Sequence, residues 1–402
     1  MAGDTVVRDT VARDNMKDRY QPVGLWAAIA ANALVIGVFV YAWLLEDYDF
    51  DLYRAAVQED EYLEWGTFWG FMAAGGLFAL AAVRERRARG GVPWFEAGLA
   101  VFCFLFAMEE ISWAQRIFAY RPPTYFLENN FQQEPNFHNV ISTDLRKLTL
   151  KAIIGGYGVV LPLLVVISKS SIKDQLNRLG IVLPPAAFAP GFALAYYAYA
   201  SYPWQYAGEV VELMLALAFV CFALVVAHRV ADVPSALDRR AVLRMPLACL
   251  IVMALGLGTA LAVRNQQSVW PENIALAQAE IAALKHDFLA RSDVDRERFP
   301  TKCGIHKRIY SFVEKYKRDD LRDGQFGTLQ GQGMAEERAE FFIDPWNAPY
   351  WVRDRCRKSS GKRVIFIYSF GPNRRRDSSR WEVLGDDIGD YIHMDPGKKG
   401  KG

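Results

Sequence analysis

Residues 245–263, MPLACLIVMALGLGTALAV, are the last long apolar run of the chain, and their reading decides the fold. The run carries no charge, and about 20 apolar residues are enough to cross the hydrocarbon core of a bilayer. Before it, apolar runs of similar length alternate with short charged loops; after it the chain turns polar and charged. The 402 residues, 52% hydrophobic on average, therefore divide into a membrane regime and a polar regime. A net charge of +2 is too small to argue for a nucleic-acid partner. Neither a Walker loop nor a dinucleotide glycine fingerprint is present.

Working back from 245–263, the pattern predicts seven spans: 24–45, 65–83, 94–113, 150–167, 182–201, 209–227 and 245–263. Carboxylates lie in or beside the third and sixth. The fifth contains Pro184, Pro185, Pro190 and Gly191, which predicts a bent or broken first half. Residues 1–23 are charged and lack the short apolar core of a signal peptide, so they read as a cytoplasmic tail.

Basic residues set the direction. Arg8, Arg13, Lys17 and Arg19 precede the first span, Arg84, Arg86, Arg87 and Arg89 follow the second, and Lys169, Lys173 and Arg178 follow the fourth. Arg229, Arg239, Arg240 and Arg244 follow the sixth, whereas the alternate loops are poor in Lys and Arg. Positive loops stay in the cytoplasm, so the N-terminus is inside and an odd tally delivers the C-terminus outside. The loop 114–149, with Arg116, Arg121, Arg146 and Lys147, is a mild exception. Tyr196, Tyr197, Tyr199, Tyr202, Trp204 and Tyr206 gather at the predicted outer interface. The expected domains are a tail (1–23), a seven-span membrane domain (24–263), an exported α+β domain (264–392) and a basic tail (393–402).

The densest polar cluster, Glu109, Glu110, Ser112, Gln115 and Arg116, would place Glu109, Ser112 and Arg116 on one face if helical. His138 follows among Asn and Gln residues, and span six opens with Glu209 and Glu212. The topology puts Glu109, Glu110, His138, Glu209 and Glu212 at one outer level, as candidates for acid–base chemistry, cation passage or a structural network. Cys303 and Cys356 fall in the exported domain, where an oxidising compartment predicts a disulfide. His286, His306 and His393 are scattered and read as surface or packing residues.

In the polar regime, Pro271 opens a helix whose apolar positions Ile274, Ala277, Ile281, Leu284 and Phe288 fall on one face. DPWNAPY (344–350), FIYSFGPN (366–373) and GDDIGD (385–390) follow in that order. This order resembles the C-terminal region of the type II secretion major pseudopilin, over roughly residues 245–392. The resemblance implies a long helix followed by a small antiparallel sheet, and calcium held by the Phe370 carbonyl, Asn373, Asp386 and Asp387. Asn373 stands where the family has an acid, and Arg374, Arg375, Arg376 and Arg380 add positive charge, so a metal-free loop held by Arg–Asp pairs is the alternative. No prepilin cleavage site precedes residue 245, which implies a borrowed domain rather than a pseudopilus subunit. The membrane part resembles multi-span bacterial membrane proteins without an assigned activity.

The expectation is a multi-pass protein of a bacterial inner membrane with a periplasmic pseudopilin-like domain. It would serve as a non-enzymatic envelope or secretion-associated scaffold, with membrane lipid and secretion or pilus-like proteins as partners. The alternative is a membrane enzyme or transporter working at the outer carboxylate and histidine cluster.

Overall fold

The computed structural model describes residues 23–118, 120–130, 132–168, 171–229, 237–266, 271–292, 304–316, 329, 333–357, 362–379 and 381–394. The leader up to residue 22, Cys303 and the basic tail from residue 395 lie outside the described residues, as does the side chain of Cys356; so, therefore, does the expected disulfide. The chain divides into two compact units, Met1–Trp113 with Ile141–Leu261 and Ala114–Val140 with Ala262–Gly402. The boundary near 262 falls where the apolar regime ends. The loop between the third and fourth expected spans, however, groups with the C-terminal unit.

The helical unit contains α1 (Leu25–Tyr48), α2 (Tyr62–Arg89), α3 (Trp94–Glu110), α4 (Thr143–Ile167), α5 (Ala189–Ser201), α6 (Ala207–Arg229) and α7 (Leu237–Gln266). Among the described residues, α1, α2, α4, α6 and α7 are long and apolar enough to cross a membrane. Helix α3 has 17 residues and α5 has 13. Helix α6 is the centre: 89% of its most apolar window is buried by the rest of the protein, against 22% in α1 and α7 and 17% in α4. The outer helices leave Leu25, Trp26, Leu44, Val166, Leu247 and Leu250 exposed, a density of apolar surface that belongs against lipid.

Small residues bring these helices together. A Cβ on Gly70 of α2 would sit 2.8 Å from Ala216 Cβ of α6, and one on Gly256 of α7 would sit 2.7 Å from the Gly66 nitrogen. Lipid tails are as apolar as leucine, so helices in a bilayer gain from close backbone packing rather than from burial. Trp69 adds a hydrogen bond to Thr259 Oγ1 at 2.9 Å between α2 and α7. The middle of α4, Ala152–Val160, is a π-helix, and its Gly155 and Gly158 receive the rings of Tyr196 and Phe192 of α5.

In the C-terminal unit, α8 (Pro271–Ser292) and α9 (Ile309–Tyr316) accompany β1 (His306–Arg308), β2 (Trp351–Arg357), β3 (Lys362–Ser369) and β4 (Ile388–Met394). The strands form one antiparallel sheet in the order β1-β2-β3-β4. Alternation along the strands sends Val352, Ile365 and Ile367 to one face, against Ile281 and Leu284 of α8 and Ile309, Phe312 and Val313 of α9. Val364, Phe366 and Tyr368 line the other face with Phe370, Trp351 and Tyr391. His306 lies on that second face, stacked 4.6 Å from Trp351 and bonded to Tyr368 Oη at 2.6 Å. Burial, reinforced by Arg353, Arg376, Arg308 and Arg355, pushes its pKa down to about 2, so it is a neutral packing residue.

The expected break in the fifth span is present. Residues 182–185 are not helical, Ala186–Phe188 make a single 3-10 turn, and α5 begins at Ala189. Pro184, Pro185 and Pro190 have no backbone N–H, and the interruption leaves neighbouring groups without helical partners. Asn32 of α1 replaces them: its Nδ2 donates to Ala187 O at 2.8 Å and its Oδ1 accepts from Gly191 N at 2.8 Å. Replacing Asn32 with Leu is expected to lower the stability of the detergent-solubilised protein by about 1–3 kcal/mol, because it strands a donor and an acceptor at once. Thermal unfolding of Asn32→Leu beside Asn32→Gln checks this; a melting temperature unchanged in the Leu variant would remove Asn32 from this role.

Candidate functional site

Two of the three motif segments, 344–350 and 366–373, meet around one buried carboxylate. Asp344, fully buried, accepts from Trp346 N at 3.0 Å, Ala348 N at 2.8 Å and Ser369 Oγ at 2.5 Å. Ser369 Oγ in turn accepts from Gly371 N at 2.9 Å. The turn at 344–350 is thereby pinned to the end of β3. Burial pushes the Asp344 pKa up, against the downward pull of Ser369, the turn amides and Arg374. Tyr350, the last residue of the turn, donates to Glu280 of α8 at 2.5 Å, and Arg338 pairs with the same carboxylate. Glu280 is fully buried inside an otherwise apolar helix face, a partner that α8 periodicity does not announce.

From this anchor the loop 370–387 folds back on itself around three carboxylates. Ligand oxygens of Asp377, Asp386 and Asp387 all lie within 4.8 Å of one another. Asp386 Oδ2 accepts from Asn373 N at 3.0 Å, while its Oδ1 is buried without a hydrogen-bond donor. Asp387 accepts from Ser378 N at 2.8 Å and Asp377 N at 3.3 Å. Two glycines make the fold-back possible. Gly371 (φ +67°) and Gly385 (φ +65°) are left-handed, and a Cβ on either would collide with Asp386 O or Asp377 Oδ2 respectively. Burial raises the pKa of Asp386 to about 6, with Asp377 adding to it, and that of Asp387 to about 7.

Of the expected cation ligands, Asn373, Asp386 and Asp387 come together. Asn373 Oδ1 already accepts from Arg375 N at 2.6 Å, and its Nδ2 donates to Asp377 Oδ2 at 3.0 Å. Phe370 stands at the start of the loop. Asp377 is an addition that the motif order does not signal, since it follows three arginines. The arginines divide: Arg375 lies 3.9 Å from Asp377, whereas Arg374 points away to the carbonyls of Trp346 and Gln115.

The second candidate cluster lies in the helical unit. Glu110 is in electrostatic range of Glu212, Glu209, Glu64 and Glu109, and Glu209 is in range of Arg146. Glu64, in the first turn of α2, joins the four expected carboxylates; its position at the end of an apolar run is the one signal the sequence carries for it. The expected helical face of Glu109, Ser112 and Arg116 does not form. Helix α3 ends at Glu110, and Ser112, Trp113 and Ala114 come next with φ of 45°, 54° and 65°, a left-handed run that turns the chain aside. Trp113 Nε1 donates back to Glu109 at 2.7 Å. His138 does not belong to the helical unit that holds the carboxylates but to the C-terminal unit.

The Asn and Gln residues around His138 are structural. Asn130 Nδ2 donates to Asn136 Oδ1 at 2.8 Å and its Oδ1 accepts from Gln132 N at 2.7 Å. Gln133 Nε2 donates to Phe341 O at 3.1 Å, and Arg374 Nη1 donates to Gln115 O at 3.2 Å. Leu127 is buried with Phe341 and Ile343, and Arg121 lies over the Phe341 ring at 5.6 Å. The segment 114–140 is thus built into the C-terminal unit as one of its walls.

No family model, no curated protein and no solved structure matches the chain.

Proposed function

We propose that the chain is a seven-span protein of a bacterial inner membrane that presents a pseudopilin-like, protein-binding unit to the periplasm and performs no chemical step itself. The observation that carries this reading is the convergence of the three motif segments on Asp344, Ser369 and the Asp377–Asp386–Asp387 loop. The partners it implies are proteins of a secretion or pilus-like machine.

Chain parity supports the seven crossings. Segment 114–140 and residues 262–402 group in one compact unit, and a unit that does not itself span the bilayer keeps both on one side. The chain between them must then cross an even number of times. Helices α4, α6 and α7 are long and apolar enough for three crossings; on this reading the broken stretch ending in α5 makes the fourth. Charge places that side outside. Alkaline phosphatase fused after Gly402 is expected to be active, and an epitope inserted at the exposed Glu128 is expected to be open to protease in spheroplasts. An inactive, well-expressed fusion or a protected epitope would overturn this topology. Crosslinked membranes are expected to yield envelope proteins with the chain; its recovery alone would remove the machine.

The donor set of the loop suits calcium, a hard cation that takes several carboxylate oxygens. Asp377, Asp386 and Asp387 would hold it, with Asn373 beside them, and it would neutralise carboxylates that burial has left poorly compensated. Both raised pKa values lie above the unfolded range, so their contribution to stability is full at low pH and is lost as pH rises through about 6 to 7. Without calcium, the full-length protein is therefore expected to lose protection of this loop between pH 5 and pH 8. Calcium is expected to restore it, and to bind more tightly at the higher pH, where protons no longer compete. Titration calorimetry of wild type and Asp377→Asn reads this out; no heat at pH 8 in millimolar calcium would end the metal reading.

The carboxylate group at Glu110 keeps a second reading open: a membrane enzyme or an ion pathway, since intramembrane acids mark such sites. Clustered like charges cost stability that a purely structural network would avoid. If Glu64, Glu109, Glu110, Glu209 and Glu212 form a working site, Glu110→Gln is expected to raise the melting temperature of the solubilised protein. A lowered melting temperature would favour a structural network around Arg146.

A further inference from the structure

One cleft of the helical unit has the properties of a lipid site. It is about 570 Å³ in volume and lies between α3 and the first half of α4. Trp94, Gly98 and Phe102 form one wall, Leu148 and Ala152 the other, and Phe219 of the buried α6 lies at its floor. Its walls are exposed, with Trp94 54% and Leu148 66% accessible, so the cleft opens sideways rather than into the bundle. Phe95 and Tyr157, with ring centroids 6.1 Å apart, close the end remote from Leu148.

The cleft offers water nothing. Its polar side chains are already committed: Trp94 Nε1 donates to Leu179 O at 2.9 Å, Tyr157 Oη to Val182 O at 2.5 Å, and Thr149 Oγ1 to Leu145 O at 2.9 Å. A water needs two to four polar partners, so an apolar trough of this size stays dry. Alongside hydrocarbon it fills with hydrocarbon.

The open end is charged. Lys147 and Lys151 lie four residues apart on α4, next to Leu148 and Ala152, and both are exposed. Neither pairs with an acid among the described residues. They sit where α4 passes from polar residues into its apolar stretch, the level of lipid phosphate. By the charge rule this is the outer side.

We infer that this cleft binds one acyl chain of an anionic glycerophospholipid, with Lys147 and Lys151 at its phosphate. The inference rests on the membrane reading of the bundle but not on which side the C-terminal unit occupies. Occupancy by lipid would fill the gap between α3 and α4 that protein leaves open.

The test uses full-length protein extracted from membranes in mild detergent, with phosphatidylglycerol and phosphatidylcholine titrated separately and counted by native mass spectrometry. Wild type is expected to retain one phosphatidylglycerol per chain, with a preference over phosphatidylcholine of about fivefold for each lysine. Lys147→Gln with Lys151→Gln is expected to abolish the preference and leave binding. Gly98→Phe is expected to abolish retention; a Cβ there meets nothing within 4 Å, so the ring enters the cleft without displacing backbone. Should that variant express poorly, Ala152→Phe blocks the cleft from the opposite wall. Equal affinity for the two lipids in wild type, or retention unchanged by both blocking substitutions, overturns the inference. Recovery of the chain in the soluble fraction would instead overturn the membrane reading itself, and is scored before any lipid is added.

Discussion

A backbone N–H or C=O inside hydrocarbon has no water to turn to, and the helical unit is organised by that constraint. Unbroken helices satisfy it internally. The stretch 179–191 cannot, because three prolines interrupt it and leave carbonyls and an amide without helical partners. Side chains of three different helices meet those groups. Asn32 of α1 takes Ala187 O and Gly191 N, Trp94 of α3 takes Leu179 O, and Tyr157 of α4 takes Val182 O. The break is thus a hub that ties α1, α3 and α4 to α5. Helix α6 packs at the centre without polar contributions along most of its length, relying on close approach at sites such as Ala216.

In the C-terminal unit the corresponding problem is buried charge. A carboxylate removed from water costs several kcal/mol unless donors surround it. Asp344 has two amides and a hydroxyl; Glu280 has Tyr350 and Arg338. Both are neighbours of the same turn, so residues 344–350 are held at one end by β3 and at the other by α8. Asp386 is different: one of its oxygens has no donor, and Asp377 beside it disfavours its charged form rather than compensating it. The contrast separates carboxylates that complete the fold from a loop that leaves electrostatic demand unmet.

Much of the helical unit was legible in the sequence. Uninterrupted apolar runs marked α1, α2, α4, α6 and α7, and the proline cluster marked the broken segment. The face of α8 was visible in Ala277, Ile281 and Leu284, all buried. The hidden part depends on long-range pairing. Nothing local says that Glu280 faces Tyr350, that Asp377 turns toward Asp386 across a left-handed glycine, or that 114–140 folds with a region more than 120 residues later. The supposed helical face at Glu109, Ser112 and Arg116 failed for the same reason. Periodicity assumes that a helix continues, and it cannot register the left-handed turn at residues 112–114.

The turn at Ser112, Trp113 and Ala114 is costly by its own residues. Left-handed geometry disfavours a non-glycine residue by roughly 1–2 kcal/mol, and these three adopt it in succession. Part is offset locally by the Trp113–Glu109 hydrogen bond. The remainder has to come from segment 114–140, where Leu127, Asn130 and Gln133 are buried among residues of the C-terminal unit. Arg374 holds the beginning of this segment through Gln115 O, and Arg374 itself belongs to the loop that carries Asp377. The turn is the part of this stretch least stabilised by its own residues.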